Sequence, residues 1–162
     1  MKLVAVLEKP GEYFSEAVSQ TLGRDGGAFV LSTSRVEDIA SRRCDLVVVS
    51  PGFARCAEVR KRLRCGVLLT PDGLFYSPSG SGNVVTYGMS PRSTFTLSAV
   101  GTERCMMAIQ REVVTVSGRV VEEQELSVAA SGGTDTTLAA AGGRILLGLS
   151  AHPQSYILNN TR

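Results

Sequence analysis

The amino-acid sequence predicts an α/β protein of Rossmann-like, three-layer design, with parallel strands in its N-terminal half, antiparallel strands in its C-terminal half and a C-terminal helix. Three observations carry this. Residues 1–73 alternate apolar runs with amphipathic helical patterns, as βα units with parallel strands do. Residues 74–130 run strand after strand with polar alternation and tight turns, the pattern of antiparallel pairing. Residues 131–162 form an alanine-rich helix and tail behind a Ser-Gly-Gly stretch. At 162 residues and 43% apolar, the chain makes one globular domain with a real core.

Leu3 to Leu7 is a continuous apolar strand, and Glu12 to Leu22 follows as a helix with Phe14, Ala17, Val18 and Leu22 on one face. Gly23, Gly26 and Gly27 stop it and lead into the strand Ala28 to Ser32. Ser34-Arg35-Val36-Glu37 reads as a capping box for a short helix. Asp45 introduces Leu46 to Val49, the most β-prone run in the chain, which Pro51-Gly52 breaks. A basic helix from about Ala54 to Leu63 then leads to the strand Gly66 to Thr70 and the turn Pro71-Asp72-Gly73. After the turn-forming stretch Ser77 to Asn83, antiparallel strands are expected over Val84–Tyr87, Thr94–Val100, Arg104–Gln110, Glu112–Val116 and Gln124–Ala129. Gly101-Thr102 and Ser117-Gly118 supply turns, and the last helix is expected over Thr136–Leu149, ended by Gly148 and Pro153.

Composition excludes several classes. A net charge of +2 is too small to imply a nucleic-acid partner, and the cluster Arg55, Arg60, Lys61, Arg62 and Arg64 has no aromatic residues interleaved to stack on bases, so it reads as a solvated helix face. The N-terminus lacks a signal-peptide pattern, and no apolar run is long enough to span a bilayer, so a cytoplasmic protein without a membrane partner is expected. Cys44, Cys56, Cys65 and Cys105 form no C-x-x-C pair and His152 is remote, so neither metal nor cofactor is expected, and the thiols read as reduced small hydrophobes.

The most informative stretch is Val4 to Phe14. An apolar strand passes through a short loop into an amphipathic helix, the form of a phosphate-binding strand-loop-helix, but Glu8-Lys9-Pro10-Gly11-Glu12-Tyr13 stands in the loop. Such loops surround phosphates with backbone N–H groups and neutralise them with a lysine. Without any ancestry, Glu12 reads as an acid complementing the first turn of the helix.

Val4-Ala5-Val6 with Gly11, Val84-Val85-Thr86-Tyr87-Gly88, and Thr136-Thr137-Leu138-Ala139-Ala140 with Gly148-Leu149 together resemble the central ATP-binding domain of the Mur ligases, which join amino acids to cell-wall precursors, and of their folate-linked relatives. The resemblance spans nearly the whole chain and implies an ATP-dependent ligase ancestry. On the family's pattern, Glu8 replaces the first loop glycine, Gly11 stays, Glu12 replaces the lysine and Tyr13 the magnesium-binding hydroxyl. A charge pair at about 4 Å is worth on the order of 4 kcal/mol at an effective dielectric near 20, so a carboxylate in the lysine's place reverses a large term. The acid expected beyond the third core strand is missing from Val47-Val48-Val49-Ser50-Pro51. The family's histidine and asparagines near the adenine fall on Gly132, Gly133 and Thr136. No lysine matches the carbamoylated one, since Lys2, Lys9 and Lys61 are the only lysines.

These departures predict a non-catalytic domain that binds a protein partner or a small metabolite. The expected cleft lies at the strand ends near Glu8 to Glu12, Ser50, Gly52 and Asp72, where open α/β sheets bind ligands. Two alternatives stand beside it: one component of an ATP-dependent amino-acid ligase, and a generic Rossmann-like module, although no G-x-G-x-x-G follows the first strand. Elsewhere, Asp72 reads first as a turn residue, His152 as a helix-end residue, Arg92 and Arg104 as solvated strand-edge cations, and Ser131-Gly132-Gly133 as a connection.

Overall fold

The parallel strands of the N-terminal half are pinned by side-chain parity. In the computed structural model, which describes residues 1–23, 27–56, 63–73 and 82–151, alternate residues of these strands enter two separate apolar clusters. Val4 and Val6 of β1 (Lys2–Leu7), Leu46 and Val48 of β3 (Cys44–Val49), and Val67 and Leu69 of β4 (Cys65–Pro71) share one cluster. It also holds Phe14, Val18 and Leu22 of α1 (Phe14–Gly23) and Leu138, Ala139, Ile145 and Leu146 of α4 (Thr134–Leu146). The alternate residues Ala5, Leu7, Val47, Val49 and Leu68 pack with Ile39 of α2 (Glu37–Ala40) and with Phe53 and Ala54 of α3 (Pro51–Cys56). A strand buried on both faces reads as the unbroken apolar run seen in the sequence.

The result is a mixed α/β fold around an eight-stranded, mostly parallel sheet. Its order is β10-β7-β6-β5-β4-β3-β1-β2, with β2 at Ala28–Thr33, β5 at Asn83–Tyr87, β6 at Phe95–Val100, β7 at Arg104–Ile109 and β10 at Gln124–Ala129. From β1 the chain steps outward to β2, then crosses to β3 on the other side of β1. The antiparallel part begins only at the β6–β7 pair and continues with β7–β10.

Several expectations need correction. Val84–Tyr87 is not antiparallel: β5 lies parallel to β4, with Val84 opposite Leu68 and Thr86 opposite Thr70, and β6 begins parallel to β5 at the pair Tyr87 and Phe95. Polar alternation reports that one strand face is less buried and carries no information about direction. Glu112–Val116 shrinks to β8 (Val113–Val114), which pairs with β9 (Val120–Val121) in a separate two-stranded ribbon. The capping box at Ser34 is replaced: Val36 is the N-cap of α2 and no side chain caps it, while the Thr33 hydroxyl accepts from Arg35 N–H at 3.1 Å and donates to Asp38 at 2.5 Å. The expected residues Gly26, Arg60, Lys61 and Arg62, most of the Ser77 to Asn83 turn, and His152 and Pro153 lie outside the described residues.

α4 starts two residues earlier than its sequence pattern and ends in a Schellman motif, with Leu149 N–H on the Arg144 carbonyl and Gly148 N–H on that of Ile145. Arg144 itself is buried within this helix, donating to the Thr21 carbonyl at 2.9 Å and the Ser150 carbonyl at 2.5 Å. It thereby fastens α4 to the last turn of α1, where helix carbonyls lack intrahelical partners. No helix among the described residues is long and apolar enough to cross a membrane.

Candidate functional site

The C-terminal ends of β1 and β3 meet at the point where the strand order reverses, the position at which open α/β sheets form a ligand crevice. Here the crevice is filled from within. Glu12 does not begin a helix: α1 starts at Phe14, and Glu12 stands in the loop between two residues in the left-handed region, Gly11 at φ 79° and Tyr13 at φ 56°. That conformation costs an ordinary side chain about 1–2 kcal/mol, and its effect is to turn the Glu12 side chain across to α3. Tyr13 is turned outward, with 75% of its surface exposed.

The Glu12 carboxylate accepts from three donors. Its Oε1 takes the Gly52 N–H at 2.7 Å, and its Oε2 takes the Ser50 hydroxyl at 2.5 Å and the Lys9 N–H at 2.9 Å. Ser50 is completely buried and caps α3, its Oγ accepting from Phe53 N–H at 3.1 Å while its carbonyl accepts from Ala54 N–H at 3.0 Å. Gly52 is needed for this approach, because a β-carbon there would meet the Glu12 carboxylate at 2.6–2.8 Å. A helix start offers N–H donors and a positive dipole end to an anion, and at α3 the anion is the protein's own.

Glu8 does the same at α1. Its carboxylate accepts from Ser15 N–H at 2.8 Å, from the Ser15 hydroxyl, and from the Ser32 hydroxyl of β2 at 3.1 Å. The reading of Glu12 as the acid of the α1 first turn is therefore corrected: Glu8 serves α1 and Glu12 serves α3. Of the other loop residues, Lys9 and Pro10 are exposed, and the Lys9 carbonyl accepts from Glu12 N–H at 3.1 Å, closing the turn.

Of the residues expected to form one cleft, the structure brings Glu12, Ser50 and Gly52 into direct contact but leaves no room among them. Asp72 lies one strand further on. It lines an open cavity of about 370 Å³ with Pro51, Arg55, Tyr87, Met89 and Asp135. Asp72 Oδ1 accepts from Gly73 N–H at 2.9 Å, the first element of a turn, and its Oδ2 accepts from the Ser93 hydroxyl at 3.4 Å. Tyr87 forms the wall towards Glu12. Its hydroxyl donates to the Val49 carbonyl at 2.6 Å, and burial, together with the charges of Asp135 and Glu12, pushes its pKa well above the ordinary phenol value.

Sequence reasoning missed Asp135 and Tyr87 as cavity residues. Asp135 carried the weak signal of an acid in a helix first turn, whereas the place of Tyr87 follows only from β5 lying parallel beside β4. Arg92 is exposed, and Arg104 donates to the Ser127 hydroxyl at 2.8 Å on the neighbouring strand. Two donors of the Ser131-Gly132-Gly133 segment are held by the start of α4: Ser131 N–H bonds Thr137 Oγ1 at 2.9 Å and Gly133 N–H bonds Thr136 Oγ1 at 2.7 Å. Among the described residues, no group of three or more His, Cys, Asp and Glu side chains stands close enough to hold a metal ion. Comparison with protein-family models finds no match, and no curated protein is significantly similar to the chain.

Proposed function

We propose that this chain is a non-catalytic binding domain, a degenerate stand-alone relative of the Mur-ligase central domain with a Rossmann-like three-layer plan, and that it takes a small metabolite in the cavity beside Asp72 or a protein partner over the same strand ends. The observation that carries the reading is the Glu12 carboxylate, hydrogen-bonded to Ser50 and Gly52 at the start of α3. A nucleotide phosphate at this crevice meets a carboxylate already holding the donors it needs, with Glu8 in the equivalent place at α1. At contact distance such like charges repel by several kcal/mol unless solvent screens them.

A second reading is favoured by the strand order. The parallel strands run β2-β1-β3-β4-β5-β6, and the first five follow the order of open doubly wound sheets, which supports a general ligand-binding module without ligase ancestry. Both readings place binding, without bond-making chemistry, at the C-terminal strand ends.

Calorimetric titration with ATP and with ADP in the presence of Mg²⁺ tests the shared claim, and no binding is expected up to millimolar nucleotide. Micromolar affinity, with ordered phosphates against residues 8–13 in a nucleotide-soaked crystal, would overturn it.

A further inference from the structure

At the opposite end of the sheet from the cavity, Cys44 begins β3 and Cys65 begins β4, and the two are directly opposite in the parallel register. Opposed residues on adjacent strands point to the same face, and both thiols belong to the cluster beneath α2 and α3. Adjacent strands lie about 4.8 Å apart, within the range of about 4.4–6.8 Å over which Cα atoms of a disulfide are found, while the parallel Cβ vectors put the Cβ atoms just beyond the roughly 3.5–4.5 Å that the bond spans, so closure draws the two strand starts together. The Cys44 N–H donates to the Arg64 carbonyl at 3.1 Å, which fixes the register at this pair. Both cysteines are free, with 1% and 8% of their surfaces exposed.

We propose that Cys44 and Cys65 are a dithiol modification site that closes to a disulfide between β3 and β4 when the protein meets a low-molecular-weight disulfide. The more exposed Cys65 reacts first. Its thiol gives a proton to solvent, and the thiolate attacks one sulfur of the small disulfide, expelling one small thiolate. The Cys44 thiolate, likewise formed by loss of a proton, then attacks the Cys65 sulfur and expels the second. Two protein thiols are oxidised, one small disulfide is reduced to two thiols, and the two protons pass to the departing thiolates.

Burial governs the rate. It pushes Cys65 up to about 11, with the neighbouring Cys44 adding to the rise, and it raises Cys44, with Asp45 adding and Arg42 opposing. Both sulfurs are therefore protonated at neutral pH and react only through local opening at the strand starts. The bond would enclose the chain from β3 through α3 to β4, so oxidation braces the segment that carries Ser50 and Gly52 together with the cavity residues Pro51 and Arg55.

The test uses the full chain incubated with oxidised glutathione, followed by acid quench, alkylation and peptide mapping by mass spectrometry. The expected product is a Cys44–Cys65 cross-linked peptide, reversed by dithiothreitol, with a Tm rise of about 5–10 °C for closing a loop of roughly twenty residues in a domain of this size. The variant Cys65→Ala should lose both the cross-link and the Tm rise while keeping the far-UV spectrum of the fold. Glutathione adducts on either cysteine without the cross-link, full alkylation of both after prolonged oxidation, or a cross-link formed only in denaturant would each overturn the proposal.

Discussion

Replacing Glu12 by alanine removes the anion that organises the β1–α1 loop and the start of α3 together. The Lys9 N–H is exposed and recovers water, so its loss counts for little. The Ser50 hydroxyl is buried and left without its acceptor, and the Gly52 N–H loses its charged partner. Hydrogen bonds to charged groups contribute about 1.5–3 kcal/mol, and a stranded buried donor costs about 1–3 kcal/mol. Relaxation of the left-handed residue Tyr13 returns about 1 kcal/mol. The balance is a destabilisation of about 3 kcal/mol, which at an m-value of about 2 kcal/mol/M lowers the urea midpoint by about 1.5 M. Equilibrium urea unfolding followed by circular dichroism measures this directly. The same variant opens the donors at α3 to an external anion, so millimolar inorganic phosphate should raise its midpoint and leave that of the wild type unchanged. A Glu12→Ala midpoint within about 0.3 M of wild type, equivalent to less than about 0.6 kcal/mol, would refute the idea that this carboxylate holds the two elements together.

Two further outcomes follow from the same geometry. Gly52→Ala in the wild type should destabilise by about 2 kcal/mol because the added carbon displaces the Glu12 carboxylate, but in a Glu12→Ala background it should stabilise by up to about 1 kcal/mol through helix propensity; a double-mutant cycle showing simple additivity would contradict the contact. For Cys65, whose folded-state value is raised from 9.0 to about 11, the protonated thiol is favoured by the fold, so its contribution is complete below pH 9 and declines as pH climbs through 11. Under reducing conditions, a Cys65→Ala variant should therefore lose less stability than wild type between those pH values, as thermal melts across the range would record.

The parts of the fold set by local periodicity were legible in the chain. Leu3 to Leu7, Leu46 to Val49 and Gly66 to Thr70 are largely apolar runs, rich in Val and Leu, that a strand covered on both faces can bury, and they form β1, β3 and β4 within a residue or two. Phe14, Val18 and Leu22 repeat at helical spacing and face the core, although the helix that carries them begins later than its pattern implied. The carboxylate of Glu12 in the loop after the first strand was equally visible, because charge type is a property of the residue and needs no fold to be read.

Tertiary structure alone decided where that charge goes. Glu12 contacts Ser50 and Gly52 some forty residues away, and only the placement of β3 beside β1 brings the start of α3 within reach. The parallel run of β5, and with it the place of Tyr87 and Asp135 around the cavity, likewise follows from strand pairing, which side-chain alternation does not encode. The facing of Cys44 and Cys65 is a matter of register, set by long-range hydrogen bonds and burial. Sequence therefore determined which segments could bury their apolar faces and which sign of charge stood in the loop. The assembled sheet determined which of those charges meet, because contacts between distant segments exist only once the strands have chosen their neighbours.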